Sequence, residues 1–541
     1  MKNKIALALT LPLLLLSLLF GACGGTTSYD MGINDALEKT EAIPPGYGTT
    51  YEVFVYSFYD SDGDGIGDLP GLTSRLDYIS DLGFDGIWLM PIMPSPTYHK
   101  YDVTDYYAID PQYGTMADFE AFVAACHERG IRVIIDLVIN HTSSAHPWFV
   151  EACQYLVTLD GGEPDAAICS TVDFYHFRRG LFAKSYPVPD GDDWYYEGQF
   201  WSGMPDLDLY NGAVRAEIEN IVRFWFDKGV DGFRLDAAKE FVSGDHAANV
   251  EILTWFNGMV KSIKPDAYLV AEIWDQAPVY AAYYASGIDS IFNFAFAEKA
   301  GTIAATANGS RPAANLGRSL EYIDELFTPY NPDYIDAPFY SNHDQDRAAG
   351  HYSGEYAEAQ TKTALALNLL MSGNTFTYYG DELGMIGAGR DENKRVAMYW
   401  SEDKNSPGMP RDLLNRESFA MIYPSYEQQK DDPLSIYNYV RNAIKIRNAH
   451  PEIIHGSYGN LDTVADGSLA AYVKDVSGGQ VVILANLGAD EVKLRLSAIT
   501  AEDKVSAKRL EVAAVLLSGE DVVKRQGGSL LLPPFSIVIL K

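Results

Sequence analysis

The sequence predicts an α/β fold: a (β/α)8 TIM barrel with a loop-rich subdomain inserted after strand 3 and a C-terminal all-β, Greek-key-like domain. Three observations predict it. Short apolar runs alternate with amphipathic helical patterns eight times between residues 51 and 448. The rhythm breaks once, over 142–203, into stretches rich in Pro, Gly and Asp with no clear long helix. Beyond residue 451 the pattern becomes the period-two alternation of strands, as in 469–473, 480–486 and 536–540.

The expected barrel strands are 51–57, 86–90, 132–138, 232–236, 268–272, 290–294, 337–341 and 375–379. The fourth shows the logic best. Val214, Ile218, Ile221, Val222 and Trp225 recur at helical spacing before it. Asn211 suits the N-cap of that helix, and Gly229 suits its stop. The helix is followed by Gly232-Phe233-Arg234-Leu235-Asp236, a short strand ending in a carboxylate. Further helices are expected over 116–129, 249–261 and 357–371. The barrel therefore takes 49–141 and 204–450, the insertion 142–203 and the C-terminal β-sandwich 451–541.

The N-terminus has a separate logic. Lys2 and Lys4 precede an apolar run to Phe20, and Gly21-Ala22 lead to Cys23. This reads as a secretory signal, residues 1–22, with its cleavage site, and a transmembrane anchor is the alternative, since the run approaches the length that spans a bilayer. A Cys directly after small residues resembles the bacterial lipoprotein signal, which implies lipidation of Cys23 and an exported protein anchored in the cell envelope, periplasmic or on the outer surface. Residues 23–48 are polar and rich in Gly, Thr and Pro, as in a tether. Cys126 falls on the apolar side of a helix, whereas Cys153 and Cys169 flank a loop-rich segment and could pair in an exported protein.

The 541 residues carry a formal charge of −33, which argues against nucleic acid or an anionic membrane surface as partner. The 36 Tyr and 8 Trp supply faces that suit sugar rings. After strand one comes Asp60-Ser-Asp-Gly-Asp-Gly-Ile-Gly-Asp68. Oxygens of Asp60, Asp62, Asp64 and Asp68, with the Ile66 carbonyl and a turn at Gly65, match nine positions of a calcium loop. The Glu expected at the twelfth position is Gly71, and a strand precedes the loop, so this would be a calcium loop outside an EF-hand.

Asp236, Glu272 and Asp344 all stand at expected strand ends, with His141 and His343 close by. A retaining glycosidase needs an ionised carboxylate as nucleophile and a protonated one as acid, roughly 5 Å apart. Asp236, two residues from Arg234, is the better anion; Glu272, among Ala271, Ile273 and Trp274, has the more apolar setting that suits the acid. Asp344 would bind sugar hydroxyls and help distort the ring, and the two histidines would donate to hydroxyls beside the reacting carbon.

The blocks Asp136–His141, Gly232–Lys239, Val270–Trp274 and Ser341–Asp344 resemble, in order, the four motifs of the α-amylase superfamily, glycoside hydrolase family 13. The resemblance implies a nucleophile at Asp236, an acid/base at Glu272 and a transition-state stabiliser at Asp344. It implies substrate contacts from His141, Arg234 and His343 and an aromatic platform at Tyr101. Lys239 resembles the leaving-group-side lysine of α-amylases. Tyr101-Asp102 and the metal loop are similar to the oligo-1,6-glucosidase branch, where the matching Asp grips a chain end. Met204-Pro205-Asp206-Leu207 is similar to the group intermediate between those glucosidases and neopullulanases. A second calcium is implied at Asn140, Asp206 and Glu240. The expectation is a monomeric α-amylase cutting internal α-1,4 bonds of an α-glucan. An exo-acting α-glucosidase, a 4-α-glucanotransferase and a non-catalytic glucan-binding lipoprotein are the alternatives.

Overall fold

The computed structural model describes residues 26–40, 43–159, 161–413, 421–461, 467–499 and 510–541. The signal and Cys23 lie outside them. Among the described residues no helix is long and apolar enough to cross a membrane.

Eight parallel strands form the barrel: β1 (Gly48–Val53), β2 (Gly86–Leu89), β3 (Arg132–Leu137), β4 (Gly232–Leu235), β5 (Tyr268–Ala271), β6 (Ser290–Asn293), β7 (Ala337–Pro338) and β8 (Asn374–Tyr378). They pair in the order β7-β6-β5-β4-β3-β2-β1-β8, and a parallel bridge from Phe339 to Phe376 closes the ring. The interior is packed, with Trp88, Phe292, Phe339 and Phe376 meeting edge-on or tilted. Each expected strand is present, shortened at its carboxyl end. There the chain leaves the ladder, and the released side chains build the site.

The helix before β4 spans Gly212–Asp227. Asn211 caps it by accepting from the Ala213 and Val214 amides, and Gly229 turns out of it at φ +91°. The insertion departs from expectation. Pro147–Val157 is a helix, led by Pro147 and capped by the His146 ring. Its buried Phe149, Ala152, Cys153 and Leu156 fit helical spacing, but Pro147 and the flanking turn residues mask the pattern. A three-stranded sheet follows (Phe177–Arg179, Trp194–Glu197, Ser185–Pro187). Cys126, Cys153 and Cys169 are buried free thiols, so Cys153 and Cys169 do not pair.

The C-terminal domain is a sandwich of a five-stranded and a four-stranded antiparallel sheet, closed over Leu469, Val482, Val515, Leu530 and Val538. The segment expected as a tether belongs partly to it. Thr26–Tyr29 is a strand that pairs antiparallel with Val523–Gln526, and Met31–Ala36 is a 3-10 turn packed on the sandwich. Buried Asn34 donates to the Val515 carbonyl at 2.8 Å and accepts the Val515 amide at 3.2 Å. The physical reason is edge satisfaction: the Val523–Gln526 strand has free backbone groups that a short polar strand can fill.

Asn34→Ala should leave the buried Val515 amide and carbonyl without partners. The expected loss is about 1–3 kcal/mol in urea unfolding.

Candidate active site

Arg234 and Asp236 share one face of β4 because side chains alternate along a strand. The Arg234 side chain is buried at the centre of the barrel mouth. Its Nη1 donates to both Asp136 oxygens, at 2.8 and 2.9 Å, and to Asp236 Oδ1 at 2.7 Å. Its Nη2 donates to Glu272 Oε2 at 2.8 Å. Asp136 is the residue of β3 registered opposite Arg234, and Glu272 follows β5 directly. Between the two active-site carboxylates the chain turns at Ala237, held at φ +49°, a region costly for a residue with a Cβ. That turn aims the Ala237 amide at Glu272 Oε2, 3.0 Å away. One guanidinium thus bridges Asp236 and Glu272.

The opposite wall is built by β7 and β1. His343 is fully buried. Its Nδ1 meets Glu52 Oε1 at 2.6 Å; its Nε2 meets the Tyr101 hydroxyl at 2.7 Å and Asp344 Oδ2 at 3.0 Å. Tyr101 stacks on the His343 ring and passes its own proton to Asp136 Oδ2 at 3.0 Å. Burial disfavours the imidazolium, but Asp344 and Glu52 outweigh it and raise His343 to about 9. Burial likewise opposes ionisation of Asp344, and His343 and Arg395 overcome it, holding that carboxyl well below its usual range. Arg395 Nη2 donates to Asp344 Oδ1 at 2.8 Å. Glu272 is the contrast. Burial pushes it up, Arg234 pulls it down, and the charges of Asp236 and Asp344 push it up again, leaving it raised. A raised Glu272 beside an Asp344 held ionised shows how surroundings separate the roles of like groups.

The residue pattern matches the "Alpha amylase, catalytic domain" family model over residues 52–456. The chain belongs to the α-amylase family. Its relatives include "Alpha-amylase 3" of Dictyoglomus thermophilum, 38% identical over 493 residues that cover 91% of this chain and 92% of that one. Among solved structures it resembles "Eubacterium rectale Amy13B" (TM-score 0.89, 44% identity, 95% of this chain and 99% of that one). It also resembles an α-amylase from H. orenii (TM-score 0.77, 34% identity, 92% and 99%).

In this amylase-family hydrolase a cleft of about 500 Å³ opens over the three carboxylates. Asp236, Glu272, Asp344, Tyr101 and His141 line it. Phe200 and Trp201 from the insertion face it, as does Trp274, and all three are exposed. The expected contact residues have protein partners of their own. Asp102 is 1% exposed and accepts the hydroxyls of Ser95 (2.7 Å) and Thr97. Lys239 is tied to the rim, donating to the Trp274 carbonyl at 3.2 Å and pairing with Asp275 at 2.8 Å. Both His141 nitrogens face protein, Nε2 to the Tyr101 carbonyl at 3.2 Å and Nδ1 to Asn140 Nδ2 at 3.3 Å. His343 is likewise engaged by protein on both sides.

Carboxylate oxygens of Asp60, Asp62 and Asp68 lie within 4.8 Å of one another, an arrangement of hard donors that fits a hard cation. Gly65 makes the expected sharp turn at φ +98°. Asp64 stands apart from this group; its Oδ1 accepts the Ile66 amide at 2.7 Å. Asp68 also caps the next helix by accepting the Gly71 amide. At the junction with the insertion, Asn140 donates to Asp206 Oδ1 at 3.2 Å and the Gln199 amide to Asp206 Oδ2 at 2.8 Å. Glu240 is held by the Gln199 side chain at 2.8 Å. Burial pushes Asp206 up to about 7.

Glu52 and Arg395 were not singled out in the sequence. Glu52 carried a signal, since a carboxylate inside an apolar strand needs a partner. Arg395 sits in the loop after β8 and carried none.

His343 is raised to about 9 from an ordinary 6.5, so its charge contributes full stability below pH 6.5 and loses it as pH rises through about 9. Between those values the unfolding free energy of the wild type should fall relative to His343→Asn. Parallel curves would show that the histidine carries no charge-dependent stability.

Proposed function

We propose that the protein is a retaining, endo-acting α-amylase that cuts internal α-1,4 bonds of starch- or glycogen-type glucans. The single guanidinium bridging Asp236 and Glu272 carries this reading. Asp236 attacks the anomeric carbon while Glu272, raised by burial, gives its proton to the departing oxygen. Water then replaces the departed sugar, Glu272 takes a proton from it, and the bond to Asp236 breaks. Asp344 stays ionised under His343 and Arg395 and stabilises the positive charge that grows on the sugar. Arg234 orients Asp236 through its hydrogen bond to Oδ1. Exposed Trp201 and Trp274 offer faces for neighbouring glucose units.

The Asp60–Asp68 loop would hold calcium through Asp60, Asp62 and Asp68, fixing the turn after β1. Cys23, after its signal, supports a lipid-anchored protein of the cell envelope. The protein is read as a monomer whose partner is the glucan.

A maltooligosaccharide blocked at its non-reducing end should be cut by the wild type, and bound but not cut by Asp236→Asn. No cleavage by the wild type would move the assignment to an exo-glucosidase, and products longer than the substrate would move it to a transferase. Removing divalent cations with a chelator should lower the melting temperature by a few degrees, and calcium should restore it. An unchanged melting temperature would end the calcium assignment.

A further inference from the structure

Cys23 stands three residues before Thr26, and Thr26 is already paired with Gln526 at the edge of the four-stranded sheet. Three residues span at most about 10 Å. An acyl chain on Cys23 would therefore bring this end of the C-terminal domain to the membrane surface. The tether expected over 23–48 would have held it at a distance.

The register shows what that end presents. Val492, Leu494, Leu530 and Leu532 point into the sandwich core, so the residues that alternate with them face outward. Two outward rows cross the sheet. Arg495, Ser529, Gln526 and Thr26 form the row at the end where the chain enters. Lys493, Leu531, Lys524 and Ser28 form the next. Lys493, Arg495 and Lys524 are exposed, and neither row holds a carboxylate. The acids stand at the opposite end. Exposed Asp490 and Glu491 lead into one strand, and exposed Glu520 and Asp521 precede another that runs parallel to it. The sheet is thus polarised, with its cations toward Thr26. In a chain with 74 acidic residues against 41 basic ones, such a face runs against the composition. Solubility alone would be served as well by Asp or Glu.

We propose that the outer face of this sheet lies against anionic lipid headgroups, with Lys493, Arg495 and Lys524 opposite their phosphates. The inference rests on the lipid-anchored reading of Cys23. The net charge of −33 still repels an anionic surface from the molecule as a whole, and that repulsion sharpens the orientation. Only with this face toward the lipid do cations stand within about 8 Å, one screening length, of the headgroups while the acidic end points away. The acyl chain holds the protein at the surface, and the basic face decides how it stands there.

Cys126, Cys153 and Cys169 are buried, so one added surface cysteine can carry a fluorophore alone. The label goes on the full acylated chain in vesicles of phosphatidylglycerol and phosphatidylcholine, either at Ser529→Cys in the basic rows or at Asp490→Cys at the acidic end. A headgroup nitroxide should quench the Ser529→Cys label at least about threefold more than the Asp490→Cys label. Combining Lys493→Gln, Arg495→Gln and Lys524→Gln should remove most of that difference, with a melting temperature near the parent's. Vesicles of phosphatidylcholine alone, or salt raised about tenfold, should do the same to the parent. These two arms carry the test should the triple variant fail to fold. Mass spectrometry of the mature N-terminus keeps the two readings apart. An acylated Cys23 with equal quenching at both positions, or with a difference that survives the Gln substitutions, neutral lipid or salt, would overturn the membrane-facing sheet alone. An unmodified Cys23 would overturn the lipid anchor and this face with it.

Discussion

A single buried cation organises the catalytic half of the molecule. Arg234 sits where β3, β4 and β5 release their last side chains, and it touches a carboxylate from each. Three anions this close would repel one another, and burial would drive them to take up protons. The guanidinium relieves the repulsion, and its planar fork fixes the direction of each partner. A lysine would supply the charge without the fork. A buried pair is poor evidence of net stability, because desolvation cancels much of the attraction. Its worth here is geometric: Asp236 and Glu272 face one sugar-sized space.

That geometry extends across the barrel. From Glu52 the contacts run through His343 and Tyr101 to Asp136 and so to Arg234. The chain joins β1, β7 and the loop after β2 to β3 and β4. Every member is buried, so each hydrogen bond is strong and each missing partner costly. The protonation states follow from position. His343 lies between two carboxylates and stays charged; Asp344 takes a histidine and an arginine and stays ionised; Glu272 has one arginine against two nearby anions and rises. Acid and base roles thus arise among chemically similar groups from their surroundings alone.

The cleft is finished by parts that follow no barrel logic. Phe200 and Trp201 come from the insertion and Arg395 from the loop after β8. The N-terminal segment behaves similarly at the far end, where a strand of four residues completes a sheet whose other members lie roughly five hundred positions later. Such pieces depend on a surface that already exists and contribute little periodicity of their own.

The strands, the helix before β4 and the strand-end carboxylates were legible in the sequence, because each depends on local alternation, caps and turns. Asp236 and Glu272 could be read because a strand's period aims its last residues and the barrel gathers strand ends. The helix Pro147–Val157, the pairing of Thr26–Tyr29 and the burial of Asp102 could not be read. Nor could the hydrogen bonds of His141 to Asn140 and the Tyr101 carbonyl, or of His343 to Glu52 and the Tyr101 hydroxyl. These depend on which atoms arrive from distant parts of the chain. By itself the sequence determined which groups stand at the mouth of the barrel. Only the tertiary structure decided which of them face one another and which face the ligand, because hydrogen-bond direction and burial are properties of the packed neighbourhood, not of spacing along the chain.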